Sequence, residues 1–337
     1  MRRLLPVLLL VLTVGAAAAA GLLWYDYSRP GPLEAPKTLV IARGSGVRQI
    51  GQALEDAGVI RHAPLFHAAL WLQRAAGRLR AGEYAFEPGI SVRDVIGKLL
   101  RGETVVRRVT IAEGLTTAEA MRRLDEAEGL VGAAEPAPEG RLLPDTYHYS
   151  WGDSRAALVE RMRKAMDKAL ERLWRERRPD FPLRSPEQVL TLASIVERET
   201  GVPAERPRVA AVFLNRLARG MKLQSDPTVI YALTEGQRAN DRPLTRDDLK
   251  IDSPYNTYRY EGLPPGPIAN PGIASIEAVI NPAPTDDLYF VADGSGGHAF
   301  ARTLAEHNRN VAKWRRLLKE RGQAEPAAAE TPDGAED

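Results

Sequence analysis

One glutamate near the end of a helical pattern, Glu197, is the residue best placed to do chemistry. Ser185-Pro186-Glu187-Gln188 has the composition of a helix start. Ser185 can cap, Pro186 suits the first helical position, Gln188 can serve as the capping-box partner, and Gly201 marks the stop. With side chains about 100° apart and Val189 at zero, Val189, Leu190, Leu192, Ala193 and Val196 fill an arc from about 300° through zero to about 100°. Glu197 falls inside that arc at about 80°, Glu199 falls at its margin at about 280°, and Arg198 faces away. Burying a carboxylate is costly, and desolvation raises its pKa. A carboxyl that keeps its proton near neutrality in a partly dry cleft is a general acid. Glu197 is therefore the first candidate for a catalytic acid. The competing reading is a buried salt bridge, for which Arg206 or Arg216 could supply the guanidinium.

Residues that could assist stand downstream. A second helix is expected near 207–219, with Gly220 as its stop, and Asp226 is expected to cap a third with Pro227 in its first turn. Gln224, just outside that cap, is free to give and accept hydrogen bonds. The stretch 253–260 holds Tyr255, Asn256, Thr257, Tyr258 and Tyr260, and leads into a loop rich in proline and glycine at 262–272. Aromatic faces beside amide and hydroxyl groups suit sugar rings, so Gln224, Tyr255, Asn256 and Thr257 are candidates for substrate binding. A well-packed loop without a ligand fits the same composition. If the chemistry needs a second carboxylate, Glu199, Asp226 and Asp145 are the candidates. Residues 288–300 read as a β-hairpin. Its Gly294-Ser295-Gly296-Gly297 turn lacks the Gly-Lys-Ser/Thr of a phosphate loop.

Composition narrows the alternatives. The chain has 337 residues and no cysteine, which excludes disulfides, thiolate metal sites and cysteine nucleophiles. Of the histidines, only His62 and His67 are close in sequence, and they do not share a helix face, so neither a metal nor any other cofactor is expected. Lys and Arg number 46 against 44 Asp and Glu, a balance that argues against nucleic acid as a partner.

Several elements must position these groups. Arg2 and Arg3 precede an uncharged run over 4–25, long enough as a helix, at about 33 Å, to cross a bilayer. The basic end is expected to stay cytoplasmic and the rest to be exported. A cleaved signal peptide is the alternative, since 16–20 supply small residues. Three later stretches share one pattern of strand, glycine and helix: 39–41 with Gly44, Ile50 and Leu54; 84–86 with Gly89, Val95 and Leu99; 109–111 with Gly114, Ala120 and Leu124. In each, the apolar positions fall six and ten residues after the glycine, on one helix face. Ser91 and Thr116 suit the caps of the second and third helices. A further helix is expected over 64–76 and a long charged one over 153–178. The fold class expected is α+β: an N-terminal transmembrane helix, a small β/α module, and a mainly helical domain with a short β-hairpin. The divisions are 1–27 anchor, 28–36 spacer, 37–106 module, 107–320 catalytic domain and 321–337 disordered acidic tail.

The run Leu192-Ala193-Ser194-Ile195-Val196-Glu197-Arg198-Glu199-Thr200 resembles the catalytic helix of the endolytic murein transglycosylases of the YceG-like family. Val212-Phe213-Leu214-Asn215-Arg216-Leu217, Leu223-Gln224-Ser225-Asp226-Pro227-Thr228, Tyr255-Asn256-Thr257-Tyr258 with Gly262-Leu263-Pro264-Pro265-Gly266, and Leu143-Pro144-Asp145-Thr146-Tyr147 carry the same likeness. Arg141-Leu142 replaces the more aromatic residues expected before that last segment. The resemblance implies a single-pass inner-membrane protein, N-terminus cytoplasmic, with a LysM-like module at 37–106 and an extracytoplasmic catalytic domain. It implies cleavage of the MurNAc-β-1,4-GlcNAc bond within nascent glycan strands, leaving 1,6-anhydroMurNAc ends and limiting strand length. It puts the catalytic glutamate at Glu197, acting as acid and then base. Peptidoglycan strands, glycan polymerases, other wall-synthesis proteins and the membrane are the partners it implies. A non-catalytic, membrane-tethered wall anchor and a two-carboxylate muramidase are the alternatives.

Overall fold

The uncharged N-terminal run forms α1 (Leu4–Ser28), whose side chains over 9–25 are exposed. A helix of 25 residues is about 38 Å long, and residues 9–28 are apolar and long enough to cross a membrane. The structure is a computed structural model that describes residues 4–237 and 242–322. Arg2, Arg3 and the tail from residue 323 on lie outside the described residues.

Two compact units follow from the contacts. The smaller takes the chain up to Arg108 and recovers residues 128–131 and 148–154; the larger takes the rest. These return segments have no counterpart in a linear division of the chain. In the smaller unit β1 (Lys37–Ile41) is followed by α2 (Val47–Asp56), α3 (Ala63–Leu72), β2 (Gly82–Phe86) and α4 (Val92–Arg101). β1 and β2 pair antiparallel from Lys37↔Phe86 to Ile41↔Gly82. Ile50 and Leu54 of α2 meet Val95 and Leu99 of α4 around Tyr84 and Phe86 in one buried core. The three strand–glycine–helix stretches fold as their spacing requires. Gly44, Gly89 and Gly114 all have positive φ, at 83°, 69° and 77°, a region closed to most side chains. All six apolar helix positions are buried. Ser91 Oγ accepts the Asp94 N–H, and Thr116 forms a full capping box with Glu119.

Next come β3 (Val106–Thr110), α5 (Thr117–Asp125), β4 (Thr146–Ser150) and α6 (Arg155–Glu176), with β3 paired to β4. The charged helix α6 buries one stripe, from Leu158 and Met162 to Met166, Leu170 and Leu173. Then follow α7 (Pro186–Glu199), α8 (Arg206–Ala218), α9 (Asp226–Thr234), α10 (Ile273–Ile280), the hairpin β5 (Tyr289–Ala292) and β6 (His298–Ala301), and α11 (Leu304–Glu320). The hairpin register runs from Tyr289↔Ala301 to Ala292↔His298.

Helix α7 lies at the centre, packed by α6, α8, α9 and α10. Ser185 caps it by accepting the Gln188 N–H, and Gln188 reaches back to the N–H of Arg184 instead of Ser185. At the other end Thr200 turns to an extended conformation, so the helix stops one residue before the expected Gly201. Neighbours on all sides bury every residue from Thr191 to Val196. An apolar arc on a helical wheel therefore loses its power to separate inside from outside by the last turn, where Glu197 and Glu199 stand.

Candidate active site

Glu197 and Glu199 point into different surroundings. The Glu197 side chain is 4% exposed and uses both oxygens. Arg206 Nη2 donates to Oε1 at 3.1 Å, and the Gly272 N–H donates to Oε2 at 2.9 Å. Arg206 starts α8 and also reaches Glu113 Oε2 at 3.3 Å. Three chain segments converge here. Gly114 N–H donates to Asn270 O, Asn270 N–H donates to Leu115 O, and Arg198 donates to Gly114 O. Asn270 is fully buried, accepts the Leu142 N–H and donates to Leu115 O. A Cβ at Gly272 would meet the Glu113 side chain, which is exposed and would have to swing away. Glu197 thus forms the ion pair weighed against the acid from the sequence, and Arg206 is its partner.

Glu199, one residue beyond Arg198, faces the start of α9. Its residue surface is partly open, yet its carboxyl is enclosed, and burial pushes its pKa up to about 7. The neighbouring Asp226 charge raises it further, while Ser225 and Arg216 pull it down. Ser225 Oγ donates to Glu199 Oε1 at 2.5 Å. Ser225 occupies the N-cap position of α9, yet its side chain makes no cap bond. A hydroxyl that ordinarily satisfies a helix N–H is given to the carboxyl instead. The expected cap at Asp226 is corrected accordingly: Asp226 is the first helical residue and accepts the Tyr258 Oη–H at 2.7 Å. Burial also raises the Asp226 pKa, and it drives that of Tyr258 well above the ordinary phenol value.

The loop before α9 is fastened to the 253–260 loop. Gln224 N–H donates to Thr257 O, Ser225 N–H donates to Thr257 Oγ1 at 3.0 Å, and Thr257 Oγ1 lies 2.8 Å from Thr228 Oγ1. Gln224 has a φ of 52°, in the left-handed region. Its amide oxygen accepts from Arg216 Nη1 at 3.2 Å. Arg216 is nearly buried, donating also to the carbonyls of Lys222, Leu223 and Leu288. Desolvation lowers its pKa.

The structure thus brings together Glu199, Gln224, Asp226 and Thr257. Asn256 is fully buried and braces its own loop through the carbonyls of Leu249 and Ile251. Tyr255 is half-buried, its ring 4.8 Å from that of Tyr231. Asp145 is exposed and accepts the Thr146 N–H, so it joins neither carboxyl. Ser225 and Tyr258 carry roles that sequence reasoning did not assign. The signal available for Ser225 was a serine directly before Asp-Pro, the composition of a helix start. Glu139 was missed as well. Its enclosed carboxyl accepts the Thr117 N–H at 2.7 Å, and burial raises its pKa. Among the described residues no group of three His, Asp or Glu side chains is arranged to hold a metal ion. An open depression of about 530 Å³ is lined by Val106, Arg107, Arg108, His148 and Tyr149, and none of the groups around Glu199 lines it.

This sequence and this mixed, mainly helical fold have known counterparts. The profile of the YceG-like family matches residues 39–313, and this chain belongs to that family. An endolytic murein transglycosylase of Bacillus subtilis (strain 168) is 33% identical over 307 residues, spanning 81% of this chain and 83% of that protein. A protein of the same name from Streptococcus pneumoniae serotype 2 is 32% identical over 323 residues, spanning 82% of this chain and 58% of that longer protein. A crystal structure of a putative YceG-like protein from Listeria monocytogenes superposes with a TM-score of 0.53 at 32% identity, covering 81% of this chain and 98% of that one.

Proposed function

We propose that this protein is an endolytic peptidoglycan lytic transglycosylase and that Glu199, rather than Glu197, is its acid and base. The observation that carries the assignment is the enclosed Glu199 carboxyl, shifted to about 7 by burial and held by Ser225. Near neutrality such a group is protonated in a large fraction of molecules and can give the proton up. Glu197, engaged at both oxygens by Arg206 and Gly272, has no comparable freedom.

The reaction needs one carboxyl acting twice. Protonated Glu199 donates to the glycosidic oxygen as the bond from MurNAc C1 breaks, releasing the GlcNAc 4-hydroxyl. The resulting carboxylate then takes the proton from the MurNAc C6 hydroxyl, whose oxygen closes onto C1. The products are a 1,6-anhydroMurNAc end and a free GlcNAc end, no water is consumed, and Glu199 regains its proton. The substrate N-acetyl group can stabilise the oxocarbenium-like centre, as in substrate-assisted glycosidases. Gln224 supports substrate positioning: Arg216 fixes its amide oxygen, and its NH2 group has no partner among the described residues. Tyr255 offers a half-buried ring face. Thr257 and Asn256 act indirectly, by holding the loops.

In the same reading α1 spans the inner membrane once with the N-terminus cytoplasmic, and the antiparallel β1–β2 module with α2 and α3 is LysM-like and touches glycan. The tether keeps the enzyme on newly made strands beside glycan polymerases, which limits strand length. The deciding experiment counts anhydro ends on intact sacculi for wild type, Glu199→Gln and Glu197→Gln. Loss of anhydro ends in Glu199→Gln, with Glu197→Gln still active per folded molecule, is the expected result. The reverse would return the role to Glu197. Reducing hydroxyl ends instead of anhydro ends would mean hydrolysis by a carboxylate pair, and full wild-type function in Glu199→Gln cells would mean a wall anchor.

A further inference from the structure

We infer that the tip of α3 is a second membrane contact, in which Trp71 and Leu72 dock onto the lipid surface from which α1 emerges. The inference rests on the reading of α1 as a membrane span.

Three observations converge. Trp71 is 77% exposed and Leu72 73%, more than any large apolar side chain of α1 among the described residues. Most of α3 is apolar (Ala-Pro-Leu-Phe-His-Ala-Ala-Leu-Trp-Leu), but its buried residues are Ala63, Phe66, Ala69 and Leu70, so its last two side chains are the large ones left bare. The tip of α3 is also tied to the end of the span: Gln73 Nε2 donates to Tyr27 Oη at 3.1 Å. Tyr27 lies one helical turn after Trp24, with the two rings 5.8 Å apart, and packs on the core of the smaller unit. The bare Trp71-Leu72 pair therefore directly precedes the residue that bonds the last aromatic of the apolar run. Trp and Tyr favour that level of a bilayer because an apolar ring and a polar edge are both satisfied there. Finally, exposed Arg74, Arg78 and Arg80 follow directly, with no carboxylate among residues 71–81. Apolar wedges next to arginines suit a lipid surface bearing anionic headgroups. The continuity with α1 selects lipid over a protein partner. Two contacts with one membrane, joined by a hydrogen bond, would fix the tilt of the smaller unit instead of leaving it on a single swivel.

The absence of cysteine makes the test direct. Gly77 is exposed, with open space around it. The full-length chain carrying Gly77→Cys, labelled with a fluorophore, is reconstituted into phosphatidylglycerol-rich vesicles containing lipids nitroxide-labelled near the headgroup. Leu12→Cys reports the span. Quenching of the Gly77 probe by about twofold, lost when Trp71→Glu and Leu72→Glu are added while the Leu12 probe stays quenched, is expected. A quenched Leu12 probe with an unquenched Gly77 probe would overturn the docking and leave the span standing. Failure of both probes would remove the span and the docking with it. Quenching at Gly77 that survives the double substitution would mean tethering alone. Excimer emission from a pyrene at Gly77 without lipid quenching would put a second copy of the chain on the patch.

Discussion

The last turn of α7 has two sides, and they handle a buried carboxyl in opposite ways. On the α8 side Glu197 is matched by a guanidinium and a backbone N–H. On the α9 side Glu199 has a hydroxyl donor and, nearby, the carboxyl of Asp226, with Arg216 turned mainly to carbonyl oxygens and Gln224. Pairing a buried carboxyl with a guanidinium ties segments together, since removing one partner is strongly destabilising. Withholding it leaves a group whose proton is loosely decided near neutrality, the property acid–base chemistry needs. Two identical residues thus sit in opposite environments, and reactivity is proposed for the one left without a paired counter-charge.

The largest effect expected is on turnover. Glu199→Gln keeps the shape and an acceptor for Ser225 but cannot transfer the proton, and removing a general acid costs about 10²–10⁴ in rate. Anhydro-end release per folded molecule should fall by that factor although the urea midpoint near neutrality is no lower than that of wild type, because Gln carries no buried charge. A loss below tenfold would break the comparison.

Next in size is the opposite side. Arg206→Met leaves Glu197 buried without its cation, a situation that costs about 3–5 kcal/mol. Glu197→Gln alone takes from Arg206, whose Nε already lacks a partner, its buried anion and leaves it the exposed Glu113 carboxylate. Each single variant should lose stability by denaturant titration, whereas Glu197→Gln with Arg206→Met should lose less than the sum. Activity per folded molecule should stay within a few-fold of wild type. A fall matching that of Glu199→Gln would tie Glu197 to the chemistry.

A pH titration of stability sharpens the contrast. The Glu199 pKa is raised from 4.5 to about 7, so between these values the folded state binds more protons than the unfolded one. Its contribution to stability is full below about 4.5, declines as pH rises, and levels off above about 7, a total on the order of 3 kcal/mol. Glu199→Gln removes that slope. Subtracting its midpoints from those of wild type between pH 4.5 and 8 isolates it from the other carboxylates, and a flat difference would mean that the carboxyl is not desolvated.

Much of this was legible in the chain. The three glycines with positive φ, the apolar pairs six and ten residues beyond them, the caps at Ser91 and Thr116 and the start of α7 follow local rules. The choice between two glutamates does not. The wheel places Glu197 in its apolar arc and Glu199 at the margin by assuming one wet side, and α7 has none along Thr191–Val196, so it cannot rank the two. What separates the pair is non-local: Arg206 arrives with α8 and Gly272 from 75 residues away on one side, and Ser225 from 26 residues away on the other. The diverted cap at Ser225 was unreadable for the same reason, since helix-start composition announces a hydroxyl without saying where it bonds.

That hydroxyl gives the smallest and most diagnostic effect. Ser225 Oγ donates to Glu199 and makes no bond to the α9 backbone. Ser225→Ala should therefore spare α9, whose neighbouring loop stays fastened by the Ser225 N–H to Thr257 Oγ1. The stability cost is that of one hydrogen bond, about 1 kcal/mol. Its consequence for the acid has a definite sign. The bond holds the Glu199 pKa below where burial alone would set it, so losing it moves the pKa up. The alkaline limb of kcat/KM should shift to higher pH, while the base step, which needs the carboxylate, slows at low pH. A limb that stays in place in Ser225→Ala would mean that the proton in turnover is not the one on Glu199, and the division between the two sides of α7 would have to be redrawn.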